Sequence, residues 1–338
     1  MPARTQRILL AVALLAATVA LAACGEKSED VSGKSEPFDL ALDFYPNPDH
    51  AGIYLGQKLG YFRDAGLDLK IATPTNPADP IKQVAAGRAD LAISYEPEVI
   101  LAREQGLDVV AVGALVNKPL TSMIWLGGSG IAGVGGLRGK TIATAGIPYQ
   151  QAFLQTILAR ANLSEGDVNT VNVGLGLLPA LLSGKAQAML GGFRNIEGVD
   201  LALRGKAPQV TPVDQLGVPS YDELVLVAQG QRLQDDPEAI RLFIAALARG
   251  TAAAEASPGE ATQAVLGAND ALDPKVTAAE VKATLPLLQM EKGKPYGYMD
   301  PKRWKTFVGW MRDNGLIASL PAPSELLSND YLPGMIPE

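Results

Sequence analysis

Segments of strand period and segments of helix period alternate along this chain in two successive blocks, and that alternation restricts it to an α/β architecture. In the first block Phe38-Asp39-Leu40-Ala41-Leu42 alternates as a strand does, and Pro46-Asn47-Pro48-Asp49 is turn chemistry. His50 to Leu59 then carries apolar residues at helical spacing up to Gly60. The same cycle repeats with strands at Leu67–Ile71, Leu91–Ile93 and Val109–Ala114, and helices at Pro80–Ala86 and Pro97–Gln105. A glycine-rich stretch, Gly127 to Gly136, precedes the second block. Its predicted strands are Lys140–Ala143, Val168–Val173 and Ala186–Leu190, and its predicted helices are Tyr149–Ala161 and Leu178–Ser183. Tyr221 to Val227 reads as a strand returning to the first block. Helices follow at Pro237–Gly250, Gly259–Gly267, Thr277–Leu285 and Pro301–Asn314. Parallel βαβ units in two lobes separated by a cleft are the expected arrangement.

A length of 338 residues suits two such lobes. With 47% hydrophobic and 19% charged residues the chain has enough apolar surface for a core, which argues against wholesale disorder and against a polytopic membrane protein. A formal net charge of −7 disfavours nucleic acid as a partner, because phosphate neutralisation needs clustered Lys and Arg. A single Cys excludes an internal disulfide and a cysteine-based metal centre. The single histidine, His50, leaves little scope for a His-rich metal site or a Ser–His–Asp hydrolase.

The N-terminal segment reads as an address. Arg4 and Arg7 precede an apolar run from Ile8 to Ala20, followed by Leu21-Ala22-Ala23-Cys24. The run is short for a transmembrane helix, which needs about 20 apolar residues. Small residues before the only cysteine resemble a bacterial lipobox, so residues 1–23 are expected to be a lipoprotein signal peptide and Cys24 the lipidated N-terminus. Residues 24–36 (from Gly25 on, GEKSEDVSGKSE) are too polar to bury and are expected to be a flexible tether. The body divides into residues 37–124 in lobe 1, 125–222 in lobe 2, and 223–338 returning to lobe 1 with the C-terminal helices. It is expected to be exported, monomeric and lipid-anchored, at the outer face of the cytoplasmic membrane or in the periplasm.

Ligands of open α/β sheets sit beyond the carboxyl ends of the strands. The segments at those places are Asp43-Phe44-Tyr45-Pro46-Asn47, Ser94-Tyr95-Glu96, Ala145 to Tyr149, and Gly191 to Glu197. They carry a family likeness. Phe44 to Tyr54 followed by Gly60-Tyr61-Phe62, then Pro74 to Asp79, Gly87-Arg88-Ala89-Asp90-Leu91-Ala92, Gly191-Gly192 with Asn195 and Glu197, and Val218-Pro219-Ser220-Tyr221 together resemble the NMT1/THI5-like periplasmic binding proteins. Within them the likeness is to lipoproteins that bind thiamine pyrimidine precursors. The resemblance runs over about residues 38 to 332. It implies a type II periplasmic-binding-protein fold, closure on a ligand by hinge motion, and an ABC permease and ATPase as partners, with no chemistry and no cofactor. Relatives on this fold also bind alkanesulfonates, nitrate and riboflavin-like compounds.

An aminopyrimidine offers a flat π face, ring nitrogens and an exocyclic amine, which call for aromatic walls and an anionic acceptor. Glu197 matches the family position for that acceptor; its other reading is an acid at a helix start. Phe44, Tyr45, Tyr95, Phe193 and Tyr221 are candidate walls or core aromatics. Asn47 caps the following helix or bonds the ligand, and Glu96 is a second acceptor or a loop acid. Ser94, Asn195 and His50 complete the candidate set, His50 as a rim or helix-start residue rather than a catalyst. Arg194 stands where relatives are aromatic-rich, and a guanidinium there suits an anion. The glycines from Gly127 to Gly139 lack the Gly-Lys-Ser/Thr ending of a phosphate loop and read as an interdomain turn.

The rival reading is an enzyme, since the eukaryotic thiamine pyrimidine synthases are also similar to this chain. In that family a lysine holds pyridoxal phosphate, a histidine supplies pyrimidine atoms and a CCCFC segment is required. Carried along the Gly87-to-Leu91 stretch, the lysine's place holds Ser94 and the histidine's holds Glu98. The cysteine-rich segment falls near Val218 to Asp222, which contains no cysteine. A Schiff base cannot form on Ser94, so a receptor is the expected function.

Overall fold

The computed structural model describes residues 35–334. The expected signal peptide, Cys24 and nearly all of the expected tether lie outside the described residues; Glu36, read as tether, opens the first strand. The strands are β1 Glu36–Ala41, β2 Leu67–Ala72, β3 Leu91–Ser94, β4 Val109–Val116, β5 Thr121–Trp125, β6 Thr141–Thr144, β7 Asn169–Asn172, β8 Ala188–Phe193, β9 Gln209–Pro212 and β10 Leu224–Gln229. The first seven helices are α1 Ala51–Lys58, α2 Tyr61–Asp64, α3 Pro80–Ala85, α4 Glu96–Glu104, α5 Gln150–Ala159, α6 Leu177–Leu182 and α7 Glu197–Leu203. After them come α8 Gly230–Asp235, α9 Pro237–Ala256, α10 Pro258–Leu266, α11 Pro274–Thr284, α12 Pro301–Asp313 and α13 Pro323–Leu326. Proline opens α9, α10, α11, α12 and α13, where a missing N–H costs nothing.

Two five-stranded sheets form, in the orders β2-β1-β3-β10-β4 and β7-β6-β8-β5-β9. The pattern is the same in both. Three parallel strands lie on one side, and the strand arriving from the other lobe inserts antiparallel in the fourth place: β10 against β3 and β4, β5 against β8 and β9. The expectation of purely parallel units is corrected by these two strands, which enter from the opposite lobe and so run the opposite way. β5 also moves a boundary, because residues 121–124 belong to the second sheet although the sequence reading left them in lobe 1. Every residue of β5 is buried, and a strand covered on both faces shows no alternation to read. Strand β9 is not marked in the sequence, and α7 is marked only by the reading of Glu197 as an acid at a helix start.

Phe243 of α9 stacks on Phe38 of β1 with centroids 5.1 Å apart and also meets Phe62, fastening the C-terminal helices to the first sheet. Helices α1 and α9 approach so closely that a Cβ on Gly250 would enter the Gly52 carbonyl oxygen. An aromatic run passes from Tyr149 and Phe153 of the second lobe through Tyr221 to Phe307 and Trp310 of α12. None of the helices among the described residues is long and apolar enough to cross a membrane.

Candidate functional site

The carboxyl ends of β1, β3, β6 and β8 face a slot between the two sheets, lined by Asp43, Phe44, Asn47, Tyr95, Thr121, Ala145, Ile147, Tyr149, Gln150, Gly191, Phe193, Ile196 and Glu197. The slot holds about 30 Å³ of free space.

On the first-sheet side Asp43 is the anchor. Its Oδ1 accepts from His50 Nε2 at 2.9 Å and its Oδ2 from the Tyr95 hydroxyl at 2.9 Å. His50 Nδ1 in turn accepts the Asn47 backbone N–H at 3.3 Å, which leaves the ring proton on Nε2, aimed at Asp43. His50 is fully buried and does not line the slot. It orients Asp43, a slot residue absent from the candidate set although it heads the segment after β1. Asn47 caps the 3₁₀ turn Pro48–His50 through the Asp49 N–H and donates to the Tyr45 carbonyl, so both ends of its amide are engaged while it borders the slot.

On the second-sheet side Glu197 is the first residue of α7. Its Oε2 accepts the Phe193 N–H at 2.7 Å, and its carboxylate borders the slot. Burial pushes its pKa up to about 7 against the lowering pull of backbone N–H groups. Phe193 and Phe44 are the half-buried aromatics of the slot, and Tyr95 and Tyr149 meet edge-on at 5.9 Å deeper in. Gln150 Oε1 accepts the Ala145 N–H, and its amide nitrogen lies where a Cβ on Gly191 would be, which with φ +110 at that residue explains the glycine. Tyr149, Gln150 and Thr121 were missed. The segment after β6 pointed toward the first two, but nothing local marked Thr121.

Six candidates turn elsewhere. Tyr45 faces a neighbouring cavity. Ser94 donates to Glu98 Oε2 at 2.7 Å inside the first lobe. Glu96 Oε2 accepts the Asp222 N–H at 2.7 Å. Tyr221 is core, its hydroxyl donating to Glu223. Asn195 donates across the cleft to Asp49 Oδ1 at 2.7 Å and to Thr284 Oγ1 at 2.8 Å, a latch between lobes rather than a slot residue. His50 is the sixth. Arg194 donates from Nε to the Pro119 carbonyl and is not part of the slot lining.

The two chain crossings, residues 117–120 and 217–223, run side by side. Glu223 binds them together, accepting from Leu120 N–H, Thr121 N–H, Thr121 Oγ1 and Tyr221 OH. Asp222 beside it pairs with Arg303 and accepts Trp304 Nε1 at 2.7 Å, which ties the crossing to α12. Asp222 and Glu96 are neighbouring buried carboxyls, and burial together with their repulsion raises Glu96 well above the usual range.

Burial pushes Glu98 and Glu223 up to about 7, as it does Glu197, and Asp222 up to about 6. Carboxyls raised in the folded state bind protons more tightly there than in the unfolded chain. Their stabilising contribution is complete below the unfolded value near 4.5 and is lost as pH rises through about 6 to 7. Melting temperature is expected to fall from pH 5 to pH 8 by at least about 5 °C, as followed by circular dichroism in one buffer series. A profile that is flat or rises would mean these groups are not buried in the folded protein.

Two mixed sheets, double crossings and a slot at the strand ends define a type II periplasmic-binding-protein fold. The alkanesulfonate-binding protein of Xanthomonas axonopodis pv. citri superposes with a TM-score of 0.68 at 14% identity, over 86% of this chain and 98% of that one. The NMT1/THI5 like family model matches residues 47–261, and the chain belongs to that family. A formylaminopyrimidine-binding protein of Halalkalibacterium halodurans is 34% identical over 304 residues, covering 89% of this chain and 92% of its own. A Haemophilus influenzae protein whose name places it in thiamine biosynthesis is 36% identical over 297 residues, covering 88% and 91%. At 26% identity over 238 residues, covering 67% and 69%, lies a 4-amino-5-hydroxymethyl-2-methylpyrimidine phosphate synthase of Saccharomyces cerevisiae.

Proposed function

We propose that this protein is the extracytoplasmic receptor of an ABC importer and binds an aminopyrimidine related to the thiamine pyrimidine, without chemical change. The observation that carries this reading is the charge of the slot. Asp43 and Glu197 line it together with Phe44, Tyr95, Tyr149 and Phe193, and none of its lining residues is Lys, Arg or His. A flat ring that donates from an amine fits such a lining. The carboxylates repel sulfonate, nitrate or phosphate, which would need cationic or N–H partners. The name of the Halalkalibacterium relative supports the same ligand class.

The synthase reading is disfavoured by the same geometry. Ser94 and Glu98, at the places of that family's lysine and histidine, bond to each other inside the first lobe. Neither residue lines the slot. A lipid anchor at Cys24 would hold the receptor close to its permease. Titration calorimetry of the full chain against aminopyrimidines, alkanesulfonates and flavins tests the assignment. Heat is expected with the pyrimidines alone, and binding of alkanesulfonates in their place would defeat it.

A further inference from the structure

Beside the slot lies a second cavity of about 420 Å³, between α7 and α11, and the two share Asn47, Ile196 and Glu197 as a common wall. The walls of the second cavity are largely apolar, and among its charged residues four acids face one base. Glu197 and Asp200 project from α7, Glu280 from α11, and Asp273 stands exposed at the mouth. The one basic lining residue, Arg204, is committed to Asp200 through two hydrogen bonds. Glu280 is the informative member. It is 4% exposed, borders the cavity, and has no hydrogen-bond donor among the described residues. Its carboxyl opens on the cavity rather than on a protein donor, and burial with the repulsion of Glu197, Asp200 and Asp49 pushes its pKa up to about 8. The acids do not converge as a metal cage does, since no group of three ligating side chains is placed to hold a metal among the described residues. Spread over the walls, they suit an organic cation with several N–H donors.

The geometry points to this cavity as the subsite for an ammonium-bearing substituent of the ligand. The preferred solute is then an aminopyrimidine carrying a free primary amine, not its neutral formylated or hydroxylated counterpart. This rests on the proposed function, because the ring must occupy the slot for its substituent to cross the shared wall. Glu197 then lies between ring and ammonium, with Glu280 facing the cation.

The test is calorimetry of the full chain at neutral pH with three ligands on one methyl-aminopyrimidine ring: aminomethyl, hydroxymethyl and formylaminomethyl. The aminomethyl compound is expected to bind at least tenfold more tightly than either neutral one, a difference of about 1.4 kcal/mol. In Glu280→Gln that ratio is expected to fall below about threefold. Neutral ligands that bind as tightly as the amine, or a tenfold preference that survives Glu280→Gln, would overturn the subsite while leaving the pyrimidine receptor intact. If no member of the set binds, the receptor reading falls and this inference with it. The wild-type ratio stands even if the variant does not fold.

Discussion

Replacing Glu223 with Ala is expected to lower the unfolding free energy by about 3–5 kcal/mol, the cost of stranding several buried donors. One carboxylate serves four of them. Leu120 N–H and Thr121 N–H reach Oε2 at 2.7 Å, Tyr221 OH reaches it at 2.9 Å, and Thr121 Oγ1 reaches Oε1 at 2.8 Å. Glu223 is fully buried, so water cannot take its place. Leu120 ends the first crossing, Thr121 opens β5 directly after it and Tyr221 lies in the second crossing, and the loss is therefore concentrated where the chain passes between lobes. Glu223→Gln should cost nearly as much, since an amide presents donors where the site needs acceptors. Urea unfolding checks this, and stability within about 1 kcal/mol of the parent would show that the clamp carries no load.

Glu197→Gln is expected to weaken aminopyrimidine binding at least tenfold, and Glu197→Ala about a hundredfold. The carboxylate is 6% exposed, so its attraction for a protonated ring nitrogen or an ammonium is poorly screened. Gln keeps an acceptor for an amine but loses the charge. Its effect should therefore be greatest on ligands that bind protonated. Oε2 also holds the Phe193 N–H, so calorimetry needs to be read beside a thermal melt. An affinity unchanged in a folded Gln variant would remove Glu197 from the site.

Asn195 shows how sequence and tertiary structure divide the information. It follows β8 and was a reasonable ligand contact from its place in the chain. Its amide instead reaches Asp49, 146 residues away, and no local pattern encodes that partner. Glu96 turns away for the same reason, its partner Asp222 lying 126 residues along the chain, whereas Ser94 and Tyr221 bond to buried carboxylates close by in sequence, Glu98 and Glu223. Phe44, Asn47, Tyr95, Phe193 and Glu197 do line the slot, because strand ends are where any open α/β sheet presents side chains.

The amino-acid sequence by itself determined the strand and helix periods, the proline starts and glycine stops, the two-lobed body and the acidic aromatic character of the loops at the strand ends. Those properties reside in residues a few positions apart. Only the tertiary structure decided that β5 and β10 run against their neighbours, that Asp43 rather than His50 faces the slot, and that Tyr149, Gln150 and Thr121 complete it. These outcomes depend on which distant groups satisfy each buried donor and carboxylate, and that is settled when the two lobes pack together.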